Sequence, residues 1–285
     1  MSRKISIFFI LFNLFLASHT FAESIKLKTY LASPIHFGIT STLIETDKEI
    51  ILVNAQFTKS EALRVAAEIL DTGKKLTTIF VSYGDPDYYF SLDILKNIFP
   101  DAKIIATLAT VKHIKNTYQA KKRYWLPTMG INAPSEIIIP DEYTLNTFKI
   151  SEEEIQIKGE GELTYLWIPQ IKAIVGGIQV TSGVHIWMTD FNTLESRQNL
   201  LNSLTDMKKM NPEIVIPAHT ISGAEQNIDA VNFSIKYLED YNIAVKRSKN
   251  SQELIQIIEN QYPDLKDKES LKLEAKVVKD GFEWK

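Results

Sequence analysis

The stretch Ile79-Phe80-Val81-Ser82-Tyr83-Gly84-Asp85-Pro86-Asp87-Tyr88-Tyr89-Phe90 decides how the rest of the chain reads. Thr77 to Ser82 is a short apolar, β-branched run of the kind that forms a buried strand. It breaks at Gly84, and Asp85-Pro86-Asp87 is turn chemistry that also suits a helix start, with Asp as cap and Pro in the first turn. Upstream, Ser41 to Thr46 and Ile50 to Val53 read as two strands around the polar turn Asp47-Lys48-Glu49. Ser60 to Leu70 places Leu63, Ala66, Ala67 and Leu70 at helical spacing, and Gly73 ends that helix. Downstream, helix is expected at Leu92 to Ile98, strand at Lys103 to Ala106 and helix at Thr110 to Tyr118. From Ile50 onward the order is strand, helix, strand, helix, which implies parallel pairing with helices on the sheet faces.

The middle of the chain changes character. Ile137-Ile138-Ile139, Glu154 to Ile157, Thr164 to Ile168 and Ala173 to Val175 read as short strands between turns. Helix returns at Glu195 to Met210, Ile214 to Ile216 is a strand running into Pro217-Ala218-His219, and Ala224 to Leu271 is mostly amphipathic helix interrupted at Tyr262-Pro263. No linker separates these parts, so residues 23–285 are expected to form one α/β domain with a helical C-terminal extension from about 224.

Composition narrows the function classes. With 45% hydrophobic and 24% charged residues, 11 Gly and 10 Pro, the chain is ordinary globular protein rather than fibrous or disordered. Its 32 Lys+Arg against 35 Asp+Glu give a formal charge of −3, which is no footprint for nucleic acid. Cysteine is absent, which excludes disulfides, thiolate nucleophiles and Cys-ligated metals. At the start, Arg3 and Lys4 precede an apolar run from Ile5 to Ala17, and Thr20-Phe21-Ala22 offers a small-residue cleavage site. This reads as a secretory signal peptide over residues 1–22, cut after Ala22. The expected location is therefore secreted or periplasmic, with no membrane span in the mature chain.

The ordered pieces from about residue 36 to 220 resemble the metallo-β-lactamase fold, an αββα sandwich with its site at the strand ends. Phe37-Gly38-Ile39-Thr40-Ser41 and the hairpin up to Val53-Asn54-Ala55 match the opening of that family. The loop after the strand at 79–82 stands where the family carries His-x-His-x-Asp-His. Val175-Gly176-Gly177 stands where it carries Gly-Asp, and Pro217-Ala218-His219 where it carries Pro-Gly-His. By this resemblance Tyr83, Asp85 and Tyr88 replace three histidines, Gly177 replaces the bridging aspartate, and Asn54 replaces a supporting acid. The family's fourth histidine falls near Gly159-Glu160-Gly161-Glu162, where none exists. Asp87 and His219 are retained. The chain has five histidines, of which the mature part keeps His36, His113, His185 and His219, too few for the two-zinc site. Phenols such as Tyr83 and Tyr88 are poor substitutes, since ionising them near pH 7 costs about three pKa units.

The resemblance therefore implies a hydrolase-like protein that is either catalytically inactive or works through one altered metal site. Asp85, Asp87 and His219 would hold that single divalent cation, zinc being the natural candidate, with Asp87 as an acid–base group and His185 as an acid–base group or substitute ligand; His185 alternatively makes only a hydrogen bond within the sheet. Asp87 alternatively serves the turn alone. Asn54, Tyr83, Asp85, Tyr88, Tyr89 and Gly177 are expected around a cleft for a small aromatic or sugar-like molecule. His185 lies in Val184-His185-Ile186-Trp187-Met188, where alternation points His185 and Trp187 one way and the aliphatic residues the other. The Val-His-x-Trp run after a Gly-Gly resembles a divergent subgroup of the family. His113 beside Lys112 and Lys115, and the cluster Lys121-Lys122-Arg123-Tyr124-Trp125, read as solvated surface. Arg197 reads as a loop anchor. There is no Gly-rich phosphate loop and no Gly-x-Ser-x-Gly elbow.

Overall fold

The computed structural model describes residues 24–283, so the expected signal peptide lies outside the described residues. The first sheet runs in the order β1 (Lys26–Leu31), β2 (Thr40–Glu45), β3 (Glu49–Val53), β4 (Lys75–Phe80), β5 (Lys103–Thr107) and β6 (Asp141–Tyr143). Its first two pairings are antiparallel and the rest parallel. The parallel part is built by α1 (Lys59–Leu70), the short α2 (Pro86–Tyr89) with α3 (Leu92–Ile98), and α4 (Leu108–Met129). The second sheet contains β7 (Thr147–Ile150), β8 (Glu153–Lys158), β9 (Tyr165–Ile168) and β10 (Ala173–Val175). After the short β11 (Thr181–Ser182) and α5 (Leu194–Lys209), β12 (Ile214–Val215) joins that sheet beside β10. β13 (His219–Thr220) pairs instead with β11, and the chain ends in α6 (Ile228–Arg247), α7 (Ser251–Gln261) and α8 (Lys268–Asp280).

Period-two alternation explains why these strands read as unbroken apolar runs. In β3, Ile51 and Val53 face the second sheet, while Ile50 and Leu52 belong to the core shared with the helices. Phe80 and Ile105 do the same for β4 and β5, opposite Ile155, Leu166, Ile168 and Val175 from the second sheet. The central strands of each sheet are thus buried on both faces, against the partner sheet on one side and helices on the other, which is the expected αββα sandwich.

Two expectations change. Ile137-Ile138-Ile139 is not a strand; it is an extended segment half-buried against the core, and the strand forms just beyond it at Asp141–Tyr143. Pro140 follows the triplet, and its missing N–H leaves a ladder position unfilled. The helix expected over 110–118 continues to Met129, because the following residues are good helix formers up to Pro127 in its last turn. That extension repositions the basic cluster at 121–125, with consequences for the site.

Candidate functional site

Three strand ends are tied together by one small network. Asn54 ends β3 in the left-handed region, φ 68°, a conformation asparagine tolerates better than most residues. Its Oδ1 accepts the Ser82 N–H at 3.1 Å and the Ser82 hydroxyl at 2.8 Å. Ser82 Oγ in turn accepts the Gly177 N–H at 2.9 Å. All of these groups are buried, so the loops after β3, β4 and β10 are held at one place. The chain then turns at Gly84, where a Cβ would lie 2.5 Å from the His113 ring, and enters α2 with Pro86 in its first turn.

Asp85 occupies the N-cap position of that helix, but its side chain makes no capping hydrogen bond. Its carboxylate is held by the Lys121 ammonium in a close ion pair, and the same ammonium donates to the Gly84 carbonyl at 3.2 Å and to His113 Nε2 at 2.9 Å. His113 Nδ1 lies 2.8 Å from Glu162. Lys121, read from sequence as solvated, is only 6% exposed, and His113 is likewise a member of the network rather than a free surface group. Burial pushes the Asp85 carboxyl up, but the ammonium and the imidazole beside it prevail and hold it below the usual range. Asp190 takes the opposite course. Burial and the nearby Asp85 charge push it up to about 7, while its Oδ2 accepts from Tyr83 at 3.2 Å and from Trp187 at 2.9 Å.

Beside this network lies a cavity of about 400 Å³. Its floor includes Asp85, Asp87, Lys121 and His219, and one wall is aromatic, with Phe37, Phe57 and Trp125 packed edge to face at centroid separations of 5.2–5.5 Å. Thr181 and His185 come from β11 and the loop after it, and α8 closes the far side. His219 is oriented by its Nδ1, which donates to the Phe37 carbonyl at 3.0 Å. Nε2 therefore faces Asp87 Oδ2 at 3.4 Å and the Tyr88 hydroxyl at 3.3 Å. The Asp87 approach is close enough for charge attraction but is not aligned as a hydrogen bond, and Asp87 Oδ2 keeps no hydrogen-bond partner. Burial pushes Asp87 up to about 6, against the pull of His219.

No family profile matches this sequence, and no curated protein matches it significantly. Solved structures do match it. A metallo-beta-lactamase from Pontibacter korlensis superposes with a TM-score of 0.52 at 11% identity, covering 76% of this chain and all of that one. Metallo-beta-lactamase IND-7 superposes with a TM-score of 0.53 at 18% identity, covering 75% of this chain and 92% of that one. The chain has the metallo-β-lactamase fold.

The side chains that this fold places around its metals do not fit a metal here. Tyr83 and Tyr88 are fully buried, and burial raises both phenols well above their ordinary value, far from the ionised form a metal would need. A Cβ at Gly177, φ 79°, would meet Gln179 Oε1 at 2.1 Å and the Thr164 carbonyl at 2.8 Å, so the room for a bridging carboxylate is filled. Among the described residues no group of three His, Asp or Glu side chains is disposed to hold a cation. Asp85, Asp87 and His219, expected as a ligand set, do not form one because the Lys121 ammonium has taken Asp85.

The other expected site residues divide. Asp85, Asp87, His185 and His219 line the cavity. Asn54, Tyr83, Tyr88, Tyr89 and Gly177, expected on its wall, lie behind it, and the tyrosines are part of the core. Tyr88 and Tyr89 belong to α2, all four of whose residues are buried, and Tyr83 packs edge to face on Tyr88. His185 is buried, with Nδ1 2.9 Å from the Tyr237 hydroxyl, and burial lowers its pKa to about 4, so it is neutral at pH 7. Arg197 pins the loop as expected, donating to the Phe191 carbonyl at 2.9 Å and to Asn242. Sequence reading missed Lys121, His113 and Asp190. A signal for Lys121 existed: it sits seven residues after buried Ile114, on the apolar face of α4.

Proposed function

We propose that this is an exported protein that binds a small molecule in the cleft of a metallo-β-lactamase fold without using a resident metal, and that it is not a hydrolase of the usual two-metal kind. The observation that carries the reading is the Lys121 ammonium bound among Asp85, the Gly84 carbonyl and His113 Nε2. A protein-borne cation there meets the same electrostatic demand as a metal, and it supplies no open coordination position at which water could be activated. The cavity supports a binding role: its volume lies within the range of about 300–1,000 Å³ usual for small-molecule sites, and it combines an aromatic wall with a few convergent polar groups. Export is supported by the basic start, the apolar run to Ala17 and the small residues at 20–22. No helix among the described residues is long and apolar enough to cross a membrane.

The test is metal analysis of protein purified without chelators, joined to thermal melting with and without added zinc. The expected result is no stoichiometric zinc, manganese or iron, and a melting temperature that zinc leaves unchanged. Stoichiometric metal that disappears in both Asp87→Ala and His219→Ala would overturn the proposal.

A further inference from the structure

Three residues of the cavity wall each keep a buried polar atom that no protein group satisfies: Asp87 Oδ2, Thr181 Oγ1 and His185 Nε2. Asp87 is 7% exposed, Thr181 1% and His185 2%, so these are interior groups. Buried polar atoms are normally paired, because leaving one unpaired costs about 1–3 kcal/mol. Three around one cavity make a set for which an occupant would provide the partners. They also lie close together in the fold. Thr181 pairs in register with His219, the residue that faces Asp87, and His185 follows β11 by three residues.

The chemistry of the set restricts the occupant. Asp87 Oδ2 offers an acceptor, and Thr181 both gives and takes a hydrogen bond. His185 Nδ1 is engaged with the Tyr237 hydroxyl at 2.9 Å, and Nε2 is left to give or to take a hydrogen bond according to the tautomer. The charged groups around the cavity are of both signs. Asp85 is paired with Lys121, Glu269 on α8 is paired with Lys272, Asp87 faces His219, and Asp267 and Lys276 add one charge of each sign. Neither sign dominates the lining. Opposite the polar set stands the apolar wall of Phe37, Phe57 and Trp125. Hydroxyl groups, being donor and acceptor at once, complement such a mixed set, and the C–H face of a saturated ring suits an aromatic wall.

Resting on the metal-free binding reading above, we infer that the cavity binds a neutral polyhydroxylated ring of mono- to disaccharide size, with its hydroxyls on Asp87, Thr181 and His185 and its apolar face against Trp125 and Phe57.

Trp125 and Trp187 line the cavity, so tryptophan emission reports on its contents. The full mature chain is titrated with glucose, N-acetylglucosamine, maltose and myo-inositol, and separately with benzylamine and benzoate. The expected result is a saturable emission change with at least one of the four polyols and none with the amine or the carboxylate. Affinity for that polyol should fall at least tenfold in Thr181→Val, a nearly isosteric change, and in His185→Phe, both checked for an unchanged fold by melting. Saturable binding of benzylamine or benzoate in place of the polyols would refute the polyol class while leaving metal-free binding intact. Saturation by none of the six probes would also refute it, as would polyol affinity unchanged in Thr181→Val. Stoichiometric metal in the same preparation would remove the binding reading itself.

Discussion

Replacing Lys121 by methionine keeps the aliphatic stem and deletes the ammonium, which isolates the electrostatic role of the site's built-in cation. Lys121 is 7% and Asp85 13% exposed at the side chain, so the pair is screened by protein more than by water. Removing one partner of a buried pair leaves the other charge uncompensated, which costs about 3–5 kcal/mol. The Gly84 carbonyl also loses its donor. Lys121→Met should therefore lower stability by about 3–5 kcal/mol in urea unfolding at pH 7. Asp85→Asn leaves the ammonium unmatched and should also destabilise. In the double variant no buried charge is left over, so its loss should be smaller than the sum of the two single losses by about 2–3 kcal/mol. Acid provides a further check. Without the ammonium, burial keeps the Asp85 carboxyl above its ordinary value, so the Lys121→Met deficit should shrink as pH falls and Asp85 takes up a proton. A loss under about 0.5 kcal/mol, or strict additivity of the two variants, would refute the idea that an ammonium fills the cation's place.

Three more outcomes follow from the same geometry. Asp190, pushed up to about 7, binds its proton more tightly folded than unfolded, so its contribution is present at acid pH and is lost as pH rises through about 7. Asp190→Asn, which still accepts from Tyr83 and Trp187, should gain on the wild type between pH 5 and 8 in melting experiments. His185 has the opposite sign: with a pKa lowered to about 4, its contribution is present above about 6.5 and is lost as pH falls toward 4, so His185→Phe should gain on the wild type over that acid range. Gly177→Asp restores the residue type found at this place in the family, yet the positive φ and the 2.8 Å approach to the Thr164 backbone carbonyl predict a loss of at least about 2 kcal/mol, unrelieved by added zinc. Zinc-dependent recovery of that variant would show that the space is not filled.

The sandwich was legible because its strands carry two patterns at once. Ile50 and Leu52 against Ile51 and Val53 form a run buried on both faces, and the alternation of strands with helices required parallel pairing. The shortage of histidines for a two-metal centre was legible by counting them. The contents of the cleft were less so, for a specific reason. Tyr83, Tyr88 and Tyr89 sit beside Asp85 and Asp87 in sequence, and adjacency suggested a shared surface; the short α2 is buried all round, so the phenols pack in the core and the cavity is left to Phe37, Phe57 and Trp125 from three distant segments. Lys121 was missed because a run of three basic residues reads as solvated, and only its register on α4 set it apart from Lys122 and Arg123.

That register matters more than the identity of any one replaced ligand. A cleft with Asp85, Asp87 and Asp190 close together cannot keep all three ionised without a positive charge among them. The chain divides the problem three ways: the Lys121 ammonium holds Asp85 charged, His219 attracts Asp87, and Asp190 retains a proton up to about pH 7. Each answer uses a side chain fixed elsewhere, by α4, by the Phe37 carbonyl and by Trp187. On the binding reading proposed above, a cavity lined by neither sign in excess selects its occupant by shape and hydrogen bonding. For that reason its unsatisfied Thr181 and His185 atoms, rather than its acids, carry the clearest statement about what it binds.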